Sequence, residues 1–142
     1  MKRKDSKLEH LSRVPLFSAL NQAELRTVGR LSDVVHYPEG KVICEEGSTG
    51  REFFLVIDGK AAVKKGKRTV ATVGPGSYFG ELSILDGAPR SVTVVASSDM
   101  NLLVLEQREF GGVIRELPAL AAKLLSAMAA RLREADKKAF SH

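Results

Sequence analysis

The chain has 142 residues, of which 44% are hydrophobic and 27% are charged, a composition that is typical of a globular domain and excludes a disordered or fibrous chain. Its single cysteine, Cys44, excludes an intramolecular disulfide and a multi-thiolate zinc site. The net charge is +5, and because residues 1–7 carry four positive charges and one negative charge, the rest of the chain is nearly balanced and does not favour a nucleic-acid surface.

The basic segment at 1–7 is followed by an amphipathic pattern, whereas a signal peptide would continue into an apolar run. The longest strongly apolar run, at 53–57, has the length of a strand and is far shorter than the ~20 residues of a membrane-spanning helix. With the single cysteine, these features predict a cytoplasmic protein without a membrane span.

Apolar residues recur at helical intervals between residues 8 and 31. Pro15 interrupts this pattern, and Asn21 followed by Glu24 resembles a capping box in which Asn replaces Ser or Thr. We therefore expect two helices joined by a tight turn near 15–21, the second ending near residue 31.

Short β-prone runs replace the helical period between residues 33 and 106, a segment that holds nine of the twelve glycines. The pairs Asp58-Gly59 and Lys65-Gly66 are hairpin signals, because glycine adopts the positive φ that tight hairpin turns need. The frequent turns predict an antiparallel barrel, sandwich or roll instead of a βαβ sheet. The predicted strands are 34–37, 42–45, 52–57, 61–64, 69–73, 92–96 and 102–106.

The helical period returns at 108–116 and, beyond Pro118, in a longer segment that reaches about residue 136. Gly111, Gly112 and Pro118 indicate a hinge between the two segments. The longer segment carries an apolar stripe, which we expect to cover the body of the domain, a partner helix or a ligand, alternatives that are not exclusive. No repeat or linker divides the chain, so we predict one domain over 1–142. The stripe consists of Leu117, Leu120, Ala121, Leu124, Leu125, Met128 and Leu132.

The run 74–94 combines a strand end, a glycine, a short helix-prone stretch, a turn and an arginine that enters the next strand. Gly80 lets the backbone approach a ligand closely, and the amides that follow Glu81 open a helical turn. Arg90, returning from the far side of the turn, completes an anion cradle.

A cyclic nucleotide matches the chemistry of this cradle. Its phosphate is one delocalised anion that suits backbone donors and a guanidinium, and its ribose keeps a single free hydroxyl at the 2′ position. A carboxylate is a good acceptor for that hydroxyl, which explains an acidic residue in an anion site. We expect Glu81 to serve as this acceptor and Arg90 beside it to neutralise part of its charge.

Two motifs at this separation, Phe79-Gly-Glu-Leu-Ser83 and Pro89-Arg-Ser91, resemble the phosphate-binding cassette of the cyclic nucleotide-binding domain family. That family includes catabolite activator proteins, protein kinase regulatory subunits and cyclic nucleotide-gated channels. The resemblance covers about residues 8–136. It implies a mainly β fold, an antiparallel β-roll of the double-stranded β-helix or jelly-roll kind, with an N-terminal helical pair and C-terminal hinge and lid helices. The implied sections are a helical lead at 8–31, a β-roll at 33–106 and C-terminal helices at 108–136.

The resemblance also implies which residues bind the ligand. Gly80 and Glu81 would contact the ribose 2′-hydroxyl. The amides of Leu82 and Ser83, together with the Arg90 side chain, would hold the phosphate. The full ligand-binding set is Phe79, Gly80, Glu81, Leu82, Ser83, Pro89, Arg90, Ser91 and Val92.

Ser91 and Val92 bear on which nucleotide binds. The resemblance implies that Ser91 assists through its amide and hydroxyl at a position where alanine tends to accompany cAMP and threonine often accompanies cGMP. Serine leaves that choice open, and we expect cAMP before cGMP from the family resemblance. Val92 replaces the alanine usual in the family, which implies a tighter or displaced pocket wall.

We expect binding to be relayed to the C-terminal helices. In this hypothesis the ligand orders the cassette, whose Leu82 and Leu85 then accept the hinge helix around Phe110 and draw the 118–136 helix over the base. The candidate lid residues on that helix are Leu124, Met128, Arg131 and Leu132.

The sequence therefore predicts a second-messenger receptor or regulatory module with no catalytic residue, no metal and no cofactor beyond its nucleotide ligand. The alternative is a β-roll interaction module that binds no nucleotide and dimerises, for which Val92 is the main support. A metal-dependent jelly-roll enzyme is disfavoured because the strands lack a His-x-His pair. Expected partners are an unidentified effector protein or domain and a second copy paired through the C-terminal helix. DNA binding is not expected, because no helix-turn-helix follows the long helix.

Overall fold

The computed structural model describes residues 8–9 and 11–140, so the basic segment at 1–7, His10 and His142 lie outside the described residues. Within these ranges the seven predicted strands are present in the predicted order, together with an eighth, Tyr78–Phe79, that was not predicted. The helical elements are a 3₁₀ turn Pro15–Phe17, α1 Gln22–Leu31, α2 Glu81–Asp86, α3 Gln107–Glu116 and α4 Pro118–Phe140. The strands are β1 Asp33–Tyr37, β2 Val42–Cys44, β3 Glu52–Asp58, β4 Ala61–Lys65, β5 Arg68–Val73, β6 Tyr78–Phe79, β7 Thr93–Ala96 and β8 Met100–Glu106.

The start of α1 confirms the predicted capping box. The side chain of Asn21 accepts a hydrogen bond from the backbone N–H of Glu24, and the Glu24 carboxylate accepts one from the backbone N–H of Asn21, both at 2.9 Å. These two bonds satisfy donors that have no partner within the helix. Residues three apart in sequence therefore determine where the helix begins.

The strands form two four-stranded sheets, in the orders β1-β8-β3-β6 and β2-β7-β4-β5. Every pairing is antiparallel, and β4–β5 is the one pair of strands adjacent in both sequence and sheet among the described residues. The other pairs join strands distant in sequence. This arrangement confirms the predicted antiparallel β-roll.

One of the two predicted hairpins is confirmed and the other is wrong. Lys65 pairs with Arg68 across a turn in which Gly66 has a φ of 64°. At Gly59 the chain instead passes from β3 in one sheet to β4 in the other. Gly59 is required for close packing, since a Cβ there would overlap the Cβ of Met100 and the backbone oxygen of Asp99. A local turn signal predicts a change of direction but does not specify which strands pair.

Strand β3 separates two apolar cores. Phe53 and Leu55 face a cluster shared with the flanking helices, whereas Phe54 and Val56 face the interior of the roll. This division follows the alternation of side chains along a strand. The Phe110 ring of α3 stacks on Phe53 with centroids 5.0 Å apart. Helix α3 therefore packs on the face of β3 that is turned away from the interior of the roll.

Candidate functional site

Strand β6 and helix α2 meet at Gly80, which has a φ of 97°. A Cβ at this position would collide with the backbone oxygen of Glu52 and lie 2.8 Å from Nη1 of Arg90. Only glycine accommodates both the left-handed conformation and this close approach. Next to it, Phe79 stacks on Phe54 with ring centroids 5.0 Å apart. The chain therefore leaves the sheet sharply and begins α2 at Glu81.

Glu81 is 2% exposed and forms an ion pair with a residue of the last helix. Its Oε2 lies 3.1 Å from Nη1 of Arg131. The Arg131 guanidinium also lies over the Tyr78 ring, 5.5 Å from its centroid. Among the described residues, the ion-pair partner of Glu81 is Arg131 and not Arg90, from which the sequence analysis expected part of the neutralising charge.

Arg90 is 6% exposed and holds two backbone carbonyls. Its Nη1 donates to the oxygen of Gly80 at 3.2 Å, and its Nη2 donates to the oxygen of Glu52 at 3.0 Å. The guanidinium also lies 5.7 Å from the centroid of the Phe54 ring, within the range of a cation–π contact. Since a guanidinium carries five N–H donors, Arg90 retains donors for an anion.

Gly50 is a site residue that the sequence analysis missed. A Cβ at this position would lie 2.5 Å from Nε of Arg90 and 2.6 Å from Cβ of Ser83. Such separations are too short for any side chain, so Gly50 allows Arg90 and Ser83 to lie side by side. A single sequence with twelve glycines offers no signal that distinguishes this contact from an ordinary turn.

A cavity of about 130 Å³ brings most of the predicted ligand-binding residues together. Pro89 is the predicted member that does not line it. Cys44 and Tyr78 line it without having been predicted, because neither belongs to the two motifs. The lining residues are Cys44, Tyr78, Phe79, Gly80, Glu81, Leu82, Ser83, Arg90, Ser91, Val92 and Arg131.

The four candidate lid residues occupy different environments. Arg131 lines the cavity, whereas Leu124 is buried in the core cluster shared with the N-terminal helical residues. Met128 is half-buried and Leu132 is 64% exposed. Of the four, Arg131 is the residue in position to contact a ligand.

The residues expected to receive the hinge helix are exposed here. Leu82 and Leu85 are 51% and 54% exposed. Ile84, which lies between them in sequence, packs instead against the core cluster that contains Phe110. Helix α2 is therefore anchored through Ile84, and its two leucines remain accessible.

Burial shifts the pKa of Cys44 and of Tyr78, the two cavity residues that the sequence did not predict. Burial raises the pKa of the Cys44 thiol, and nearby Arg90 offsets part of this rise. Burial also raises the pKa of the Tyr78 hydroxyl, which Arg131 lowers and Glu81 raises further. Both groups are therefore neutral near pH 7, and the charges in the cavity wall belong to Glu81 and the two arginines.

The described residues contain no group of three His, Cys, Asp or Glu side chains arranged to hold a metal ion. Within the same ranges, no helix is both long and apolar enough to cross a bilayer.

The profile described as "Cyclic nucleotide-binding domain" matches residues 34–116, which is more than half of the chain and includes the whole cavity except Arg131. The chain belongs to the cyclic nucleotide-binding domain family. The β-roll and its flanking helices are the fold of this family, and the domain is a regulatory binding module without catalytic activity.

Several known proteins are similar to this family member. The Cyclic AMP receptor protein of Thermus thermophilus is 39% identical over 127 residues, which cover 86% of this chain and 59% of that protein. The crystal structure of Thermus thermophilus Catabolite Activator Protein superposes with a TM-score of 0.80 at 39% identity, over 87% of this chain and 61% of that chain. The chain spans less than two thirds of each.

A cAMP-dependent protein kinase regulatory subunit from Hypocrea atroviridis is also similar, with 35% identity over 100 residues, which cover 70% of this chain and 22% of that protein. The PKAR CBD2 domain with Sp-2Cl-cAMPS bound superposes with a TM-score of 0.79 at 26% identity, over 95% of this chain and 92% of that chain.

Proposed function

We propose that this domain binds a 3′,5′-cyclic nucleotide in the cavity beside α2, with cAMP preferred over cGMP, and relays binding to its C-terminal helices. The observation that carries the proposal is that Glu81 and Arg90, both buried, line one cavity together with Gly80 and Ser91. Isolated on the surface, such charges would form a weak ion pair. Here Arg90 and Glu81 are buried and have different partners, so they present one cation and one anion to the same cavity.

Each end of the nucleotide has a matching group. Arg90 and the backbone amides of Leu82 and Ser83, in the first turn of α2, hold the phosphate; these amides have no acceptor within the helix. Glu81 accepts the ribose 2′-hydroxyl. Because about 130 Å³ is small for a whole nucleotide, the base extends beyond the cavity.

Glu81 also connects the ligand to α4. Arg131 occupies Oε2 of this carboxylate, which leaves Oε1 available to the ribose. One buried carboxylate thus serves both the ligand and the last helix. We propose that bound nucleotide stabilises the position of α4 through this shared group, and that Arg131 acts as the lid residue.

The exposed part of α4 is proposed as the surface that conveys the signal. Leu125 and Leu132 are 66% and 64% exposed and are separated by one heptad, so they lie on one side of the helix. This spacing suits a second helix, either of another copy of the chain or of an effector protein. Dimerisation through α4 is therefore part of the proposal.

Calorimetric titration of the chain with cAMP, cGMP and 2′-deoxy-cAMP tests the proposed ligand. We expect one site per chain, with affinity in the order cAMP, cGMP, 2′-deoxy-cAMP. Native mass spectrometry of the same samples reports whether the chain is dimeric. A dimer that binds none of the three would support the alternative interaction module, for which the half-buried Val92 in the cavity wall is the structural argument.

Amide hydrogen exchange tests the proposed relay. With cAMP bound, we expect slower exchange in α3 and in the part of α4 around Arg131. Equal protection of residues 108–136 with and without cAMP would show that the ligand does not reach the C-terminal helices.

A further inference from the structure

A small polar cluster outside the cavity ties the tip of the β4–β5 hairpin to the ligand site. Nζ of Lys65 donates to the backbone oxygen of Ser91 at 2.9 Å and lies 3.3 Å from Oε2 of Glu46. The other carboxylate oxygen of Glu46 accepts from the N–H of Gly66 at 3.0 Å, and the N–H of Glu46 donates to Oγ1 of Thr93 at 2.9 Å. The ammonium group of Lys65 is therefore held between the Ser91 carbonyl and the Glu46 carboxylate.

The backbone around Arg90 and Ser91 is fixed by three bonds from different parts of the chain. The N–H of Arg90 donates to the oxygen of Ser48, and the oxygen of Arg90 accepts from the N–H of Gly47, both at 2.8 Å. Lys65 holds the next carbonyl, that of Ser91. In this two-residue segment the remaining backbone group is the N–H of Ser91, which has no acceptor among the described residues.

The direction of that free N–H follows from peptide geometry. In a trans peptide the C=O and the N–H point in opposite directions, and the described residues include no cis bond. The bond from Gly47 to the oxygen of Arg90 therefore turns the N–H of Ser91 away from the 47–48 turn. Ser91 lines the cavity, so this N–H is a donor available to an anion there.

We infer that Lys65 is a positioning residue for the ligand site: it holds the Ser91 carbonyl, and so fixes the Ser91–Val92 peptide that follows the Ser91 N–H, while the Gly47 bond fixes the peptide that carries this N–H. Lys65 does not line the cavity. It acts through the backbone, and Glu46 orients it. This inference rests on the proposed function, since it assigns the Ser91 amide to the phosphate of the nucleotide.

Loss of Lys65 should cause a modest increase in the dissociation rate of the nucleotide. The side chain of Lys65 is 60% exposed, so its ion pair with Glu46 adds little to stability. Without Lys65 the Ser91–Val92 peptide is free to rotate, and the Arg90–Ser91 segment is then fixed on one side only, so the bond from the Ser91 N–H to bound phosphate is held less firmly. We expect Lys65→Met to raise the dissociation rate of cAMP roughly five-fold with little change in Tm.

Lys67 provides a matched control, because it lies in the same hairpin, is exposed and has no hydrogen bond or ion pair with a described residue. Lys65→Met and Lys67→Met remove the same charge from nearly the same place. If the hairpin acts only by attracting an anion, both variants lower the association rate equally, and added salt abolishes the difference from wild type. Positioning instead predicts faster dissociation in Lys65→Met alone and recovery in Lys65→Arg.

Surface plasmon resonance with unmodified cAMP over the immobilised full chain measures both rates. Equal kinetics for Lys65→Met and wild type, or equal defects in Lys65→Met and Lys67→Met, would overturn the inference. Absence of cAMP binding to wild type would overturn the proposed function instead. Amide NMR of the free chain tests the inference independently of the proposed function. We expect the Ser91 and Val92 amide resonances to shift in Lys65→Met but not in Lys67→Met. Unchanged resonances in both variants would exclude a positioning role for Lys65, whether or not cAMP binds.

Discussion

Nη1 of Arg131 lies 3.1 Å from Oε2 of Glu81, although fifty residues separate them in sequence. The Arg131 side chain is 55% exposed and the Glu81 side chain is 3% exposed, so a surface helix supplies the cation for a buried carboxylate. Without it Glu81 would be a buried charge with no ion-pair partner among the described residues. The position of α4 and the electrostatics of the cavity are therefore linked.

Replacing Arg131 should release α4 from the cavity. We expect Arg131→Leu to speed amide exchange around residue 131 and to remove the slowing of exchange in α4 by cAMP. Arg133→Leu is the matched control, because Arg133 is exposed on the same helix and has no ion pair with a described residue. If the two variants exchange alike, the contact between Arg131 and Glu81 does not hold the helix.

Arg90→Ala should weaken both binding and folding. Loss of the charge that faces the phosphate should cost about 2–5 kcal/mol of binding free energy. The carbonyls of Gly80 and Glu52 also lose their donor, which should reduce the free energy of unfolding by about 1–3 kcal/mol. Calorimetry with cAMP and thermal unfolding measure the two effects. Unchanged affinity in a folded Arg90→Ala chain would place the phosphate elsewhere.

Glu81→Ala should remove the discrimination between cAMP and 2′-deoxy-cAMP. A buried carboxylate that accepts the 2′-hydroxyl favours cAMP by about 1.5–3 kcal/mol, because hydrogen bonds to charged groups are of that strength. The ratio of the two dissociation constants should therefore approach one in the variant. A ratio that stays at the wild-type value would mean that another group reads the ribose.

Gly50→Ala should disturb the site although it replaces no residue of the two motifs. The added methyl would lie 2.5 Å from Nε of Arg90, so the guanidinium must move and its two carbonyl bonds weaken. We expect at least a ten-fold loss of cAMP affinity, measured by calorimetry. Gly74→Ala is the control, since Gly74 has nothing within 4 Å of an added Cβ and no left-handed φ. Equal affinity of the two variants would contradict the close packing at Gly50.

Cys44 offers a native probe of the cavity. Burial raises the pKa of its thiol above the ordinary value of 9.0, so alkylation by iodoacetamide at pH 8 should be slower than that of a small free thiol. Saturating cAMP should slow it further, because Cys44 lines the cavity. Alkylation as fast as that of the free thiol, or unaffected by cAMP, would contradict this placement.

The raised pKa of the Cys44 thiol also predicts that the free energy of unfolding falls at high pH. A thiol whose pKa is higher in the folded chain than in the unfolded chain stabilises the fold fully below the unfolded pKa. That contribution is lost as the pH rises from about 9.0 through the folded pKa. Urea unfolding between pH 8 and pH 11 should therefore show a loss of stability that is smaller in Cys44→Ala.

The features that were predicted correctly from the sequence are local. The capping box of Asn21 and Glu24, the hairpin turn at Gly66 and the order of glycine, carboxylate and arginine around α2 were predicted, because each depends on backbone conformation within a few residues. Strand bounds were also close, although β8 begins at Met100 instead of residue 102, and the two-residue β6 was too short to show a period.

Contacts between groups that are distant in sequence could not be predicted and are seen only in the folded chain. The partner of Glu81, the packing of Gly50 against Arg90, the bond from Lys65 to Ser91 and the passage from β3 to the other sheet at Gly59 join parts of the chain that no local pattern relates. These contacts could not be predicted because hydrophobic burial, which drives the two sheets and α4 together, is non-directional. Sequence periodicity indicates which faces are buried, but the side chain that reaches a given atom is set by packing of the whole fold.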